Sequence, residues 1–429
     1  MAIFMMVLMF VLMGTPMAAA FTMIVPSGLY YWLNGVPLSV LPQKMASGAQ
    51  SFPLLAIPFF VLAGELMNTG GITDRLVRFA NVLVGRFIGG LGHVVVVSNV
   101  IMAGISGSAA ADAAGTGSVL IPAMIRRGYT RAFSAAIVAA AATIGPIIPP
   151  SIPMVIFGAL AEVSTSRLLI GGVVPGLLMG AYLMVANYLV ARKRGYPREN
   201  PSTWREVFRA TVMALPALGL PFIIVGGIVL GAFTPTEAAV VAVVYALVLG
   251  VLIYRELKLR DLWGVAVRTS AMVAAIMFLI GATNILGDVM TRERIDESIS
   301  SFFLGFTANP MVILLMVNIM LLIVGIPLEP IPLMLIFIPV LVPLMTKIGV
   351  NTVHFGVVMV LNLMIALLTP PVGMVMFIMM SMSKCTMWEF TKEIWPFMVA
   401  LLTVLFLITY VPSLVLWLPD ALLGVSRGR

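Results

Sequence analysis

The chain has 429 residues, 61% of them hydrophobic and 10% charged, with a mean hydropathy of +1.12. These values place it among polytopic membrane proteins and leave no polar interval long enough to fold as a separate soluble domain. The formal charge of +8 does not mark a nucleic-acid binder, because the basic residues are scattered through short loops without an aromatic-interleaved patch, and the one cysteine, Cys385, excludes an internal disulfide or a cysteine metal cluster.

In chain order, the opening run "MAIFMMVLMFVLMGTPMAAAFTMIV" lacks a basic leader and reads as a retained span over residues 3–25, not a cleaved signal. The following "FTMIVPSGLYYWLNGVPL" is long enough to hide another span. Further full spans are expected at 52–68, 131–163, 168–191, 211–232, 236–254, 266–287, 353–382 and 393–418. Two regions, 91–125 and 309–346, are apolar, then interrupted by Gly or Pro with a carboxylate, then apolar again. Each is either two short spans or, more simply, a re-entrant hairpin whose tip is buried in protein, since bare backbone cannot face lipid. The tips would be "GISGSAAADAAGTG", from Gly104, and "GIPLEPIP", from Gly325. The segments ahead of them, "ITDRLVRFANVLVG" and "TRERIDESISSFFLGF", mix charge with apolar residues at helical spacing, as interfacial arms or as solvated connectors.

Charge distribution tests this layout. With re-entrant hairpins and an inner N-terminus, the cytoplasmic side holds Arg75, Arg78, Arg86, Arg126, Arg127, Arg131, Arg192, Lys193, Arg194, Arg198, Arg205, Arg209, Arg255, Lys258, Arg260, Arg268, Lys384 and Lys392, eighteen of the 25 basic residues. Lys44, Arg167, Arg292, Arg294, Lys347, Arg427 and Arg429 fall outside. A constant offset of 221 then carries Gly104 to Gly325, Val119 to Val340, Leu120 to Leu341, Pro122 to Pro343, Met124 to Met345, Gly128 to Gly349, Pro149 to Pro370 and Pro150 to Pro371. Paired Gly and Pro positions mark matching breaks. Five expected spans separate the tips, and an odd number inverts the second copy.

The expected fold is therefore an all-α polytopic membrane protein with inverted-topology repeats, each holding a re-entrant helical hairpin and a Pro-broken transmembrane helix. Residues 1–429 form one membrane domain. It comprises a first repeat core at 52–163 (hairpin 91–125, broken helix 131–163), intervening scaffold spans at 168–254, a second core at 266–382 (hairpin 309–346, broken helix 353–382) and a final span at 393–418. Such a pattern points to a secondary transporter with its site where the breaks converge. Hydroxyls of Ser106, Ser108, Thr143 and Ser151, with carbonyls released around "TIGPIIPPS", suit a hard cation such as sodium. "NLMIALLTPPVG" brings Asn362, Thr369 and the carbonyls near Ala366 and Val372 to the equivalent place, although ordinary helix kinks would use the same residues. Asp112 and Glu329 lie at the tips and either hold a hairpin closed or help bind an ion. Asn99, Ser151, Asn362 and Thr369 are candidate substrate neighbours.

Several other features have structural explanations. "FTPTEAA" reads as a capping box with Thr234 as N-cap, Pro235 at N1 and Glu237 at N3. His93 and His354 are expected to be packed or interfacial, and Trp32, Trp388, Trp395 and Trp417 to anchor span ends. The glycine-rich tip lacks a phosphate loop's Gly-Lys-Ser/Thr ending, so ATP is not expected to drive transport directly. An intramembrane enzyme would need a convergent nucleophile and base or a metal cluster, which the residues do not supply.

Nearly the whole chain, through "SFPLLAIPFFVLAGELMNTGGI", "GISGSAAADAAGTGSVLIPAM", "TIGPIIPPSIPMVIFG", "GAFTPTEAAVVAVVYAL" and "HFGVVMVLNLMIALLTPPVG", resembles the large membrane subunit of tripartite ATP-independent periplasmic (TRAP) transporters, within the elevator ion transporters. The resemblance implies sodium-coupled uptake of a small organic acid, such as a C4-dicarboxylate or sialic acid, across a bacterial or archaeal inner membrane. It implies no cofactor, sodium as the coupling ion, and two partners: a periplasmic substrate-binding protein and a small four-helix membrane subunit. Sodium positions carry over to Ser106, Ser108, Gly145, Ile148 and Pro150 on one side and to Gly325, Ala366, Thr369 and Val372 on the other, many acting through backbone oxygens. The sequence departs from the family pattern at Ala141-Ala142, usually Ser-Ser, and at Ala366, commonly glycine. A stand-alone sodium/anion symporter is the alternative reading.

Overall fold

The structure is a computed structural model that describes residues 2–15, 17–370 and 372–424. Every regular element among them is helical. The N-terminal elements are α1 (Ala2–Met13), α2 (Ala19–Leu33), α3 (Val40–Ala49), a short 3₁₀ turn leading into α4 (Ala56–Thr69), and α5 (Ile72–Val84). Hairpin 1 is α6 (Gly90–Ser106) with α7 (Ala109–Arg126), and the first broken helix is α8 (Arg131–Ala142) with α9 (Ile152–Leu160). Next come α10 (Thr165–Gly171), α11 (Val173–Arg194), α12 (Trp204–Val229), α13 (Pro235–Leu247), which ends in a π-helical turn, and α14 (Leu259–Arg292). The second set is α15 (Ile295–Phe306), α16 (Pro310–Gly325) and α17 (Pro330–Lys347), then the broken helix α18 (Thr352–Ala366) with α19 (Met374–Ser383), and finally α20 (Met387–Tyr410) and α21 (Ser413–Leu423).

Seven helical stretches among the described residues are long and apolar enough to cross a membrane, so the chain is an all-α polytopic membrane protein. One body is built by α2, α3 and α4 against the long α14, with α13 packed on α4 and α12 on α13, while the hairpins and broken helices pack with α10, α11, α20 and α21. Only α5, the segment 195–203 and α15 connect the two along the chain. Within the second body, α9 packs on α17 and α18, and α19 packs on α7 and α8. This reciprocal exchange is what a two-fold relation between α6–α9 and α16–α19 demands.

Three expectations need correction. The run at 3–25 is not one span: α1 and α2 are separated by a break at 14–18 yet pack on each other, so they fold back as an antiparallel pair. Met5 joins Tyr30, Tyr31, Ile285 and Val289 in one apolar cluster, which puts the start of α1 at the end of α2 nearest Lys44, the outer side by charge, and not inside. Gly14 and Thr15 end the first helix because a glycine adds backbone freedom and the Thr15 hydroxyl turns back on Leu12 O at 2.6 Å. The final span is 387–410, not 393–418, because Pro412 lacks the amide to continue it and α21 starts afresh. Third, the two hairpins differ. The Gly/Ala/Ser arms of α6 and α7 lie against each other, whereas the Leu/Ile/Phe-rich α16 and α17 both pack on α18 instead. Small residues permit close helix approach and large ones prevent it.

Thr234 closes the expected capping box: its amide donates to Glu237 Oε2 at 2.8 Å and its Oγ1 accepts from the Glu237 amide at 3.3 Å. Thr203–Glu206 and Thr386–Glu389 start α12 and α20 in the same way. His93 and His354 are buried, with His354 Nε2 donating to Ile408 O at 2.7 Å, and Trp32, Trp388, Trp395 and Trp417 are exposed. The α15 and α16 axes meet at 118°, so α15 lies across its hairpin as an arm. Pro371, Arg427 and Arg429 lie outside the described residues.

The ion pairs agree with the charge layout. Arg75–Glu256, Arg127–Glu199, Arg194–Glu393 and Arg268–Glu65 join groups at the ends assigned to the cytoplasm, and Lys44–Asp288 and Arg167–Asp420 join groups at the opposite ends. Arg127 and Lys347 are both exposed. In a Cys385→Ser background, cysteines placed at these two positions should react with an impermeant maleimide from opposite sides of sealed vesicles. Labelling of both from one side would remove the inverted arrangement.

Candidate functional site

Hairpin 1 turns at Gly107, whose φ of +62° is left-handed and open to glycine at little cost. A methyl there would come within 2.5 Å of Pro150 O, so the tip rests directly on the first helix break. Ser108 caps α7, its Oγ accepting from the Ala111 amide at 3.4 Å. Ser106 donates to Asp112 Oδ1 at 2.5 Å, and its own oxygen accepts from the Ser108 amide at 3.3 Å. Asp112 is fully buried, and its Oδ2 has no hydrogen-bond partner among the described residues. That oxygen faces Gly145 of the break so closely that a Cβ at 145 would collide with it.

Ser106, Ser108, Gly145 and Pro150 therefore meet around Asp112, which joins tip to break. The side chain of Ile148, the remaining expected position of this set, packs against Gly176 of α11. A buried carboxylate oxygen without a partner costs several kcal/mol on the order of a lost charge-assisted bond, and a hard cation held by it and the neighbouring backbone oxygens removes that cost. The chemistry of the donors fits sodium: hydroxyl, carboxylate and carbonyl oxygen, with no soft ligand.

The second break is less polar. Gly325, Ala366 and Val372 line a cavity of about 400 Å³ with Glu329. Thr369 is absent from that lining, and its hydroxyl turns back on Ile365 O at 3.2 Å. A methyl on Gly325 would stand 2.6 Å from the Ala366 Cβ, so Ala366 already fills the gap between α16 and α18. Leu333 occupies the position 221 residues after Asp112, so this side has no matching carboxylate.

Between the two sites lies a cavity of about 240 Å³. Its walls are Gly107 to Ala110 at the start of α7, Ile152 and Pro153 at the start of α9, Glu329 to Ile331 at the start of α17, and Met374 at the start of α19. Met272, Ala275, Ile276 and Leu279 of α14 close the remaining side. Four helix N-termini thus point at one space. The positive dipole ends of these helices favour an anion; Glu329 is the one charged side chain in the lining, and no Lys or Arg is part of it.

None of the four substrate candidates lines it. Asn99 bridges the arms of hairpin 1 through Thr116 at 3.3 Å, Asn362 donates to Asn318 O and Oδ1 at 2.9 and 2.8 Å, and Ser151 caps α9 while donating to Pro146 O. Side-chain polarity marked these residues in the sequence; the Nδ2 groups of Asn99 and Asn362 join neighbouring helices, while Asn362 Oδ1 has no hydrogen-bond partner among the described residues. The α14 wall carried no motif that could have announced it.

The sequence model of the family described as "Tripartite ATP-independent periplasmic transporter, DctM component" matches residues 4–414. The chain is 39% identical over 394 residues to the sialic acid TRAP transporter large permease protein SiaM of Vibrio cholerae, covering 92% of each. It is 40% identical over 386 residues to the C4-dicarboxylate TRAP transporter large permease protein DctM of Pseudomonas aeruginosa, covering 90% of each. With the isethionate TRAP transporter permease protein DctMQ of Oleidesulfovibrio alaskensis, identity is 39% over 412 residues, 95% of this chain and 64% of the relative.

The Gly325–Ala366 contact makes a size-exchange prediction. Gly325→Ala should lower the thermal midpoint of the purified protein by the equivalent of about 1–3 kcal/mol of overpacking, and adding Ala366→Gly should restore most of it. A double variant as unstable as the single one would show that the two positions do not meet.

Proposed function

The chain belongs to the DctM component family of tripartite ATP-independent periplasmic transporters, and on that premise we propose that it imports a small organic acid, coupled to sodium, with a periplasmic binding protein and a small membrane subunit as partners. It is a transporter permease of the membrane and not an enzyme. The observation that carries the anionic substrate is the convergence of α7, α9, α17 and α19 on the cavity between the tips. Neutral or cationic cargo would gain nothing from four positive helix ends.

Coupling rests on Asp112. Sodium at the first break would satisfy the lone Oδ2 and, by holding tip to break, fix the N-termini of α7 and α9 at the spacing the acid needs. Each ligand then favours the conformation that the other binds, which is reciprocal coupling. The cavity has one wall, α14, from the body that carries no hairpin, and the rest from the body that does. Sliding of the second body along α14, with α5, 195–203 and α15 as its only covalent links, would carry acid and ion together across the bilayer without opening a continuous pore. The relatives' names attach sialic acid, C4-dicarboxylate and isethionate to this family, and a carboxylate or sulfonate on a small carbon frame is the chemistry they share.

Vesicles reconstituted with this chain, its small membrane subunit and its binding protein should take up one member of a panel of such acids only with an inward sodium gradient. Ser106→Ala, which removes the donor to Asp112 Oδ1, should raise the sodium concentration for half-maximal uptake by about tenfold, the size of one hydrogen bond to a charged group. Uptake indifferent to sodium would overturn the coupling, and uptake without the binding protein would favour the stand-alone symporter.

A further inference from the structure

A cavity of about 720 Å³ lies at the side assigned to the cytoplasm, between α5, the segment 199–203 and α12. A second cavity of about 380 Å³ adjoins it, sharing Arg78, Asn81 and Glu199, and runs between α5 and the open base of hairpin 1. The inner walls of this second space are apolar, formed by Val77, Leu91, Val94, Val119, Leu120 and Ala123. Its mouth carries Arg78, Arg126 and Arg127 against the single carboxylate of Glu199. Arg127 already pairs with Glu199 at 2.9 Å. Arg78 and Arg126 are exposed and have neither hydrogen bond nor ion pair among the described residues.

We propose that this trough binds one anionic glycerophospholipid of the cytoplasmic leaflet, its phosphate on Arg78 and Arg126 and an acyl chain along the apolar wall. The depth is right. Leu91 and Val94 are in the first turns of α6, and Val119 to Ala123 in the last turns of α7, so the wall begins just below the level of the arginines. A soluble anion would use the guanidinium groups but leave the apolar wall in contact with water. A protein segment would face two unpaired positive charges at the leaflet that already gathers anionic lipid. The α5 helix presents Ile72, Leu76, Val77 and Ala80 inward and Asp74 and Arg78 outward, the pattern of a helix lying in the interface. Lipid in the trough would join α5, one of the three links between the bodies, to hairpin 1.

Native mass spectrometry of the complex, purified from vesicles of phosphatidylcholine with phosphatidylglycerol, tests this without depending on transport. Phosphatidylglycerol should remain bound, with affinity reduced about tenfold or more in Arg78→Gln/Arg126→Gln, the effect of two interfacial charges. Arg192→Gln/Arg198→Gln, with the same loss of charge elsewhere, should bind it unchanged. Ala123→Phe should expel the lipid by filling the trough while keeping both arginines, and inorganic phosphate should not displace it. Equal retention in the Arg78/Arg126 variant, retention in Ala123→Phe, or displacement by phosphate would each overturn the proposal.

Discussion

A broken helix inside a bilayer leaves amides and carbonyls without partners, and lipid offers them none. That constraint governs this molecule. Thr143 to Ser151 and Leu367 to Gly373 interrupt two helices in the middle of apolar sequence, and each interruption is covered by a hairpin tip. Gly107 sits on Pro150 O and Asp112 lies over Gly145, Gly325 stands against Ala366 at the second break, and within that break Gly373 packs on Leu367 O. Glycine recurs at these contacts because a Cβ at 107, 145 or 373 would occupy the space of the oxygen that the fold has to bury.

The two-fold relation follows from the same need. One hairpin and one broken helix would expose the far side of the break, but two copies set against each other cover both, which is why α9 seeks α17 while α19 seeks α7. The copies have diverged in how they hold. Hairpin 1 is fastened by polar contacts, Ser106 to Asp112 and Asn99 to Thr116. Its counterpart instead anchors α16 to α18 through Asn318 and Asn362, with Thr409 of α20 accepting from Asn318 at 3.1 Å. The first break thus retains a carboxylate oxygen without a hydrogen-bond partner among the described residues, while the second has no matching carboxylate at position 333.

Much of this was legible in the sequence, for a physical reason. Pro and Gly act on the backbone locally, so "TIGPIIPPS" and "LLTPPVG" mark their breaks wherever the rest of the chain goes, and the constant offset between them discloses the repeat. Hydropathy located α12, α13 and α14 because those helices face lipid along much of their length. It failed at 3–25, where two short helices folded back on each other have the same composition as one long one. Side-chain polarity alone does not separate the two roles at Asn99 and Asn362, since an amide that staples two helices reads like one that meets a ligand. The α14 wall was silent because Met272, Ala275, Ile276 and Leu279 are ordinary membrane residues that become a cavity lining only through what they face.

That unmarked wall bears on movement. Both broken helices belong to the body of hairpins, whereas its partner surface on α14 is apolar over the cavity. Hydrogen bonds across such a boundary would fix one register, because breaking them in a low dielectric costs more than in water. Apolar contact has no such preference and trades one set of van der Waals neighbours for another as the surfaces shift. The charged fastenings on α14, Arg268 with Glu65 and Asp288 with Lys44, join it to α4 and to Lys44 before α4, and so brace it within its own body. Polar groups hold each body together, and the face of α14 over the cavity is apolar, which is the surface that the proposed sliding requires.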